Sequence, residues 1–393
     1  LVHYEDTSTQ MVALNIVYDV GARDEHPEHT GFAHLFEHLM FGGSAHIPDY
    51  DTPLQLAGGE NNAWTNNDIT NYYLTVPKPN VETAFWLESD RMLELAFSEQ
   101  SLEVQRGVVM EEFKQRCLNQ PYGDVGHLFR PLAFRVHPYR WPTIGKELSH
   151  IEQATLDEVK SFFYRFYAPN NAVLAVTGNI SWDETVKLTE KWFAPIPRRD
   201  VPVRQLPQEP EQTQERRLTV ERNVPLDALF MGYHMCSREG ADYYAFDILS
   251  DILSNGRSSR LNRRLVQEQN IFSGIDAYIS GTRDAGLLQI SGKPAAGVSL
   301  EQAEAAVRKE LEELQRSPVD GQELEKVKNK FESTQIFGNI NYLNVATNLA
   351  WFELTGKAED IDLEVERYRS VTTEQLHTVA QRTFCESNAV VLY

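Results

Sequence analysis

The chain has 393 residues, which is long enough for two domains. Its content of 41% hydrophobic and 24% charged residues is typical of a globular protein, and no apolar run approaches the roughly 18 residues of a membrane span. The net charge of -20 and the lack of a basic stripe argue against nucleic acid as a partner. The scattered Cys117, Cys236 and Cys385 form neither a disulfide framework nor a cysteine metal site. We therefore expect a cytoplasmic protein, or a periplasmic one if an upstream signal has been removed.

The first elements in chain order are a strand and a short helix. Residues 11–20 alternate well enough for a strand, and a charged loop then leads to the segment 30–43. Thr30 is the predicted cap of the helix, and the Gly42-Gly43 pair is its predicted end. One face of the helix is apolar, with residues at positions i, i+3, i+4 and i+7: Phe32, Leu35, Phe36 and Leu39.

A second face of this helix carries His34, Glu37 and His38. Two imidazoles and a carboxylate are costly among Phe and Leu side chains unless something binds them. Two histidines one turn apart can reach one zinc ion, and the glutamate between them can act on the attacking water. The motif alone leaves an alternative open, in which both histidines are core residues that are hydrogen-bonded to their neighbours.

A hairpin follows in the Asn- and Gly-rich segment 58–76. Asn62 and Ala63 lie on its first strand, and residues 69–76 form the returning strand. If the first strand is an edge beside the histidine helix, it could add an extended peptide by backbone pairing. An ordinary hairpin without such a role fits these residues equally well.

The next two helices are predicted over residues 79–97 and 101–117, and the second of them carries Glu111 and Glu112. A zinc site with two histidines needs a third protein ligand, which a distal carboxylate supplies in many such sites. Glu111 and Glu112 point about 100° apart around the helix, and either could be a plain surface charge.

Three segments together resemble the pitrilysin/insulinase family of zinc metallopeptidases, whose signature is the inverzincin order His-x-x-Glu-His. They are His34-Leu35-Phe36-Glu37-His38, the run of residues 105–113, and Asn119-Gln120-Pro121-Tyr122-Gly123. Within this family, the chain most resembles the short bacterial members, which are similar to the mitochondrial processing peptidase. It implies one zinc per chain held by His34, His38 and Glu112, with Glu37 as the general base. Gln105 stands where the family often has a supporting glutamate.

The resemblance also implies an α+β fold of two homologous domains, each a mostly antiparallel sheet with helices packed on one face. The sequence itself repeats, because the segment that starts at Thr155 matches the segment that starts at Thr372 at a constant offset of 217 residues. The predicted domains are residues 1–193, which bind zinc, and residues 217–393, which do not, with a proline-rich linker over 194–216. In an ungapped pairing, Asp247, Ser250 and Asp251 replace the histidines and glutamate of the first helix.

The family implies further that Arg264 contacts the substrate and that a tyrosine stands seven positions later. This chain has Ile271 there and Phe272 next, and neither has a hydroxyl group. We therefore expect a homodimer, or a heterodimer with a metal-free homologous subunit that supplies an Arg/Tyr pair. The expected function is a zinc endopeptidase that cleaves unfolded peptides in an enclosed chamber. The alternatives are a non-catalytic core-type subunit and a zinc-dependent module that binds peptides without cutting them.

Overall fold

The computed structural model describes all 393 residues. Elements of the first half are β1 Val2–Glu5, β2 Met11–Tyr18, α1 Phe32–Leu39, α2 Asp51–Leu56, β3 Glu60–Thr65, β4 Thr70–Pro77, α3 Val81–Leu93, α4 Glu99–Phe113, α5 Val125–Ala133, α6 Leu148–Glu152, α7 Leu156–Phe166, β5 Ala172–Gly178 and α8 Trp182–Trp192. Elements of the second half are β6 Arg216–Leu218, β7 Leu229–His234, α9 Tyr243–Ser254, β8 Phe272–Ile279, β9 Leu287–Pro294, α10 Leu300–Arg316, α11 Gly321–Gly338, α12 Tyr342–Thr355, α13 Glu364–Ser370, α14 Thr373–Thr383 and β10 Ala389–Leu392.

The first sheet has five strands in the order β1-β5-β2-β4-β3. Only the β1–β5 pair is parallel. The register sets Leu14 of β2 opposite Leu74 of β4 and Val176 of β5, so that apolar side chains stack on one face. Strand β3 pairs with β4 alone and forms an edge of the sheet.

The two faces of this first sheet are covered by helices of different origin. Helices α1, α3, α4 and α7 pack on one face and enclose the larger core. The opposite face is covered by α12, whose Ala346 and Ala350 pack against Ala13, Val17 and Ala175. Small side chains on both sides allow this helix to approach the strands closely. The first compact unit accordingly comprises residues 1–119, 141–206 and 336–363.

The second sheet repeats this topology with the order β6-β10-β7-β9-β8, and β6 runs parallel to β10. Helices α9, α10 and α14 contribute to its main core. The opposite face is covered by α5, whose Phe129 ring lies so close to Gly232 of β7 that a Cβ atom at that glycine would approach the ring to 2.8 Å. The second compact unit comprises residues 120–140, 207–335 and 364–393.

The prediction of an α+β fold with two similar domains is confirmed by the repeated sheet order. The structure differs in that each sheet has helices on both faces, since α5 and α12 each pack on the sheet of the other sequence half. An amphipathic pattern indicates that a helix buries one face, but it does not indicate which sheet receives that face. None of the helices combines the length and the apolarity needed to cross a lipid bilayer.

Candidate metal centre

Helix α1 is anchored by its apolar face, on which Phe32, Leu35, Phe36 and Leu39 are buried in the first core. Its N-terminus is capped differently from the sequence prediction. The Glu25 carboxylate accepts hydrogen bonds from the backbone N–H groups of Gly31 and Ala33, each at 2.9 Å. These N–H groups have no partner within the helix, so the carboxyl group of Glu25 satisfies two donors that would otherwise be unpaired.

The prediction that Thr30 caps the helix is wrong, because Thr30 contacts His150 instead: the Thr30 Oγ1 lies 2.8 Å from the His150 Nδ1. The residue that follows, Gly31, has φ of +87°, a conformation that favours glycine. A Cβ atom there would also meet the Ile151 Cδ1 at 2.6 Å. The chain therefore enters α1 through a tight bend that only Gly31 fits, and Glu25, which precedes that bend, reaches the first turn of the helix.

The third member of the site comes from α4, which begins at the Ser98 cap and buries Leu102, Val109 and Phe113. This packing turns Glu112 towards α1, where it is 20% exposed. Glu111 is 56% exposed and pairs with Lys114 at 3.9 Å. Of the two candidate glutamates, the structure brings Glu112 to the histidines.

Three ligand atoms meet where α1 faces α4. The Glu112 Oε2 lies 3.5 Å from the His34 Nε2 and 3.4 Å from the His38 Nε2. Every pair of donor atoms in this group is within 4.8 Å, and no other group of three such donors forms anywhere in the chain. Tetrahedral zinc with bonds of about 2.0–2.1 Å separates its ligand atoms by about 3.3–3.4 Å. The donor set and its spacing therefore fit zinc.

The protonation states suit a cation at this position. Burial lowers the pKa of His34 to about 4, so its imidazole is neutral at pH 7 and has a lone pair to give. The contact with His38 is the main cause that lowers the pKa of Glu112, which keeps that carboxylate charged. Two imidazoles and a carboxylate are donors that zinc, manganese and cobalt all accept.

Glu37 lies on the same helix but has a different partner. Its Oε2 accepts a hydrogen bond of 2.7 Å from the Thr65 hydroxyl at the end of β3. Burial raises the pKa of Glu37, and the bond from Thr65 opposes that rise. The sequence placed Thr65 on this strand but gave it no role, although the alternation of β3 puts it on the same face as Asn61 and Ala63.

The predicted substrate strand does form an edge of the first sheet and contacts α1. Ala63 is half-buried against the core, whereas Asn62 is exposed. The Asn62 Oδ1 accepts a hydrogen bond of 2.8 Å from the Ala63 N–H, which shows that this N–H points away from β4. The outer edge of β3 therefore presents the Ala63 N–H, and the Asn62 side chain already accepts its hydrogen bond.

Two residues that the sequence predicts for the site, Gln105 and Arg264, make no hydrogen bond or ion pair with the group of His34, His38 and Glu112. Gln105 lies two turns before Glu112 on α4 and is half-buried. Arg264 belongs to the second compact unit, where its Nη1 bonds Glu310 at 2.6 Å and also contacts Glu313. Roles for Gln105, Asn62, Ala63 and Arg264 in the reaction stay predictions.

The counterpart helix α9 has no converging donors. Asp247 accepts a hydrogen bond from the Tyr368 hydroxyl, and the Ser250 hydroxyl donates to the backbone oxygen of Asp247 at 2.8 Å. Asp251 accepts from the Asn255 side chain at 2.8 Å. Each polar side chain of α9 is thus satisfied by the protein itself.

Two family models match the chain. Residues 1–124 match the model described as Insulinase (Peptidase family M16), and residues 153–331 match the model described as Peptidase M16 inactive domain. The candidate metal centre lies in the first match, and the helix without converging donors lies in the second.

Named relatives and a solved structure agree with this match. The chain is 28% identical to the zinc protease PqqE of Helicobacter pylori over 82% of this chain and 74% of the relative. It is 24% identical to the uncharacterized zinc protease YmxG of Bacillus subtilis over 98% of this chain and 93% of the relative. The crystal structure of a protease from Helicobacter pylori superposes with a TM-score of 0.93 at 26% identity, and it covers 98% of this chain and 94% of that one.

Proposed function

The chain belongs to peptidase family M16, and from this premise we propose that it is a zinc-dependent endopeptidase that hydrolyses unfolded polypeptides. The observation that carries the proposal is the convergence of His34, His38 and Glu112 beside Glu37. A merely structural pair of histidines would need neither the carboxylate from α4 nor a second carboxylate on the same helix face.

The mechanism assigns a separate task to each residue. His34, His38 and Glu112 hold the zinc ion, which when bound would polarise the scissile carbonyl and activate a water molecule. Glu37 takes the proton from that water and returns it to the leaving amine. The raised pKa of Glu37 suits both steps, because a base with a pKa nearer neutrality also returns the proton more readily.

Thr65 and strand β3 position the reacting groups. Thr65 holds the Glu37 Oε2, which leaves the Oε1 of that carboxylate to face the water. The free edge of β3 binds an extended substrate by backbone pairing, with Asn62 and Ala63 at its centre. Asn62 has to release the Ala63 N–H for this to happen, and it then has an amide to offer the substrate.

We also propose that the working unit is a dimer. Ile271 packs against the second core and Phe272 is fully buried. Neither side chain carries a hydroxyl group. A metal-free homologue would supply the Arg/Tyr pair and close the chamber, whereas a second copy of this chain would close the chamber without adding that tyrosine. The same observation favours an alternative, in which the chain is a subunit that binds zinc and peptide but does not cut.

Cleavage of a mixed pool of unstructured basic peptides tests the proposal, with Glu37→Gln as the matched control. We expect the purified chain to bind one zinc and cut peptides, and the variant to bind one zinc and lose about 100- to 10,000-fold in kcat. Full activity in Glu37→Gln would contradict the role of Glu37. If both proteins bind zinc and neither cuts, either the subunit with the Arg/Tyr pair is missing from the assay or the chain is a binding subunit.

A further inference from the structure

Arg116 contacts the metal-binding carboxylate from the side opposite the histidines. Its Nη2 lies 2.9 Å from the Glu112 Oε1, whereas the Glu112 Oε2 faces the two imidazoles. The two oxygens of one carboxylate therefore have different partners. We propose that Arg116 is a positioning residue that holds Glu112 so that only Oε2 is offered to the metal. This inference rests on the proposed function, because it presumes that the centre binds zinc.

The backbone at this point supports the assignment. Helix α4 ends at Phe113, and a π-helix continues from Lys114 to Leu118, closed by a 2.9 Å bond from the Asn119 N–H to the Lys114 carbonyl. A π-turn is wider than an α-turn and is often found at functional sites. Here it continues the C-terminal end of α4, begins two residues after Glu112 and contains Arg116, whose Nη2 lies 2.9 Å from the Glu112 Oε1.

Two effects of Arg116 on metal binding oppose each other. Its positive charge repels a cation, but the Arg116 side chain is 67% exposed, so water and salt screen most of that repulsion. Its hydrogen bond to Oε1 fixes the rotation of the carboxylate and blocks two-oxygen binding, and this effect of geometry is not screened. We therefore expect orientation to outweigh repulsion. Removal of such a supporting partner typically weakens metal binding by about 10- to 100-fold.

The neighbouring pair of Lys114 and Glu111 provides a matched control. Lys114 lies in the same π-helix, carries the same charge and pairs with a glutamate at 3.9 Å, but that glutamate is not part of the centre. Lys114→Ala therefore removes one positive charge from the same turn without touching Glu112. Arg116→Gln keeps a hydrogen-bond donor for Glu112 and removes the charge.

The test measures zinc affinity of the full chain by competition with a chromophoric chelator, and the visible absorption of the cobalt-loaded protein. We expect Arg116→Ala to bind zinc about 10-fold more weakly. We also expect its cobalt bands to lose intensity, because a freed Glu112 binds through both oxygens and raises the coordination number above four. Arg116→Gln should recover most of the affinity and the bands, and Lys114→Ala should match the wild type in both measurements.

Several outcomes would overturn the inference. Equal or tighter zinc binding by Arg116→Ala would mean that the ion pair competes with the metal. Equal losses in Arg116→Ala and Lys114→Ala would mean that net charge or helix stability is the cause. Failure of the wild-type chain to bind zinc would instead defeat the proposed function, so the two failures are distinguishable.

Discussion

Helices α1 and α9 occupy the same place in two sheets of identical strand order, yet only α1 presents metal-binding donors. Both follow the second strand of their sheet, and both bury an apolar face in the main core of their unit. The fold thus provides a position beside the sheet and leaves the chemistry to a few side chains. Because the fold occurs twice in one chain, residues that both copies need for folding can be distinguished from residues that only the candidate metal centre needs.

The space in front of the two helices differs as much as the residues on them. Beside α1, the carboxylate of Glu112 reaches the histidines from another helix. Beside α9, the hydroxyl of Tyr368 binds Asp247, and the Tyr368 ring stacks on Phe331 with centroids 3.5 Å apart. An aromatic pair fills the second region, so that exchanging the helix residues alone cannot turn it into a metal centre.

Reciprocal substitution between the helices is expected to have the largest effect. His38→Asp, which introduces the residue found at Asp251 in the ungapped pairing, should lose the zinc and all measurable peptidase activity. The shorter aspartate withdraws a donor that now lies 3.4 Å from Glu112. The reverse change, Asp251→His, should leave the zinc content at one per chain. Metal analysis of both purified variants decides the matter, and two zinc ions in Asp251→His would refute the argument from the filled space.

Removal of the hydroxyl at Thr65 is expected to have the next largest effect. Thr65→Val deletes the 2.7 Å hydrogen bond to Glu37 without changing the size of the side chain. We expect kcat to fall about 10- to 100-fold because the base loses its orientation, while the zinc content stays at one per chain. Thr65→Ser should restore most of the rate. A change confined to KM would assign Thr65 to substrate binding instead.

The histidine motif of α1 and the internal repeat could be predicted from the sequence because both depend on the spacing of residues along the chain. The His34-to-His38 period of one helical turn and the offset between the Thr155 and Thr372 segments follow from the chain alone. The cap from Glu25 was not predicted, because the 3-10 turn Ala22–Asp24 directly before Glu25 and the bend at Gly31 decide where that carboxyl group lies. The exchange of α5 and α12 between sheets was missed for a related reason, since amphipathic patterning does not identify the surface that receives a helix.

The N-terminal cap is a further difference between α1 and α9. Asp242, the residue that precedes α9, makes no side-chain hydrogen bond to the first N–H groups of that helix. Glu25→Gln replaces one of two accepting oxygens with an amide that faces an N–H donor. We expect the free energy of unfolding to fall by about 1–3 kcal/mol. Thermal melts of the variant against Glu28→Gln, an exposed change in the same loop, measure the difference. Equal melting temperatures in the two variants would show that the cap does not stabilise the helix.

A buried carboxylate without a metal is expected to show a smaller, pH-dependent effect in the second unit. Burial is the main cause that raises the pKa of Asp247, and Tyr368 and Arg238 oppose the rise. The folded state therefore holds this proton more tightly than the unfolded state. Stability due to Asp247 is present below its unfolded pKa of about 3.9 and is lost as the pH rises through the folded value.

Asp247→Asn cannot ionise, so its stability relative to the wild type should improve between pH 4 and pH 7. We expect the melting temperature of Asp247→Asn to rise by about 2 °C relative to the wild type over this interval. A shift of this size corresponds to a change of less than about 1 kcal/mol in the free energy of unfolding of a domain. Thermal scans of the wild type and Asp247→Asn at the two pH values measure this difference. A constant difference at both pH values would mean that the pKa of Asp247 is the same in the folded and unfolded states, so that the hydrogen bond from Tyr368 fully offsets its burial.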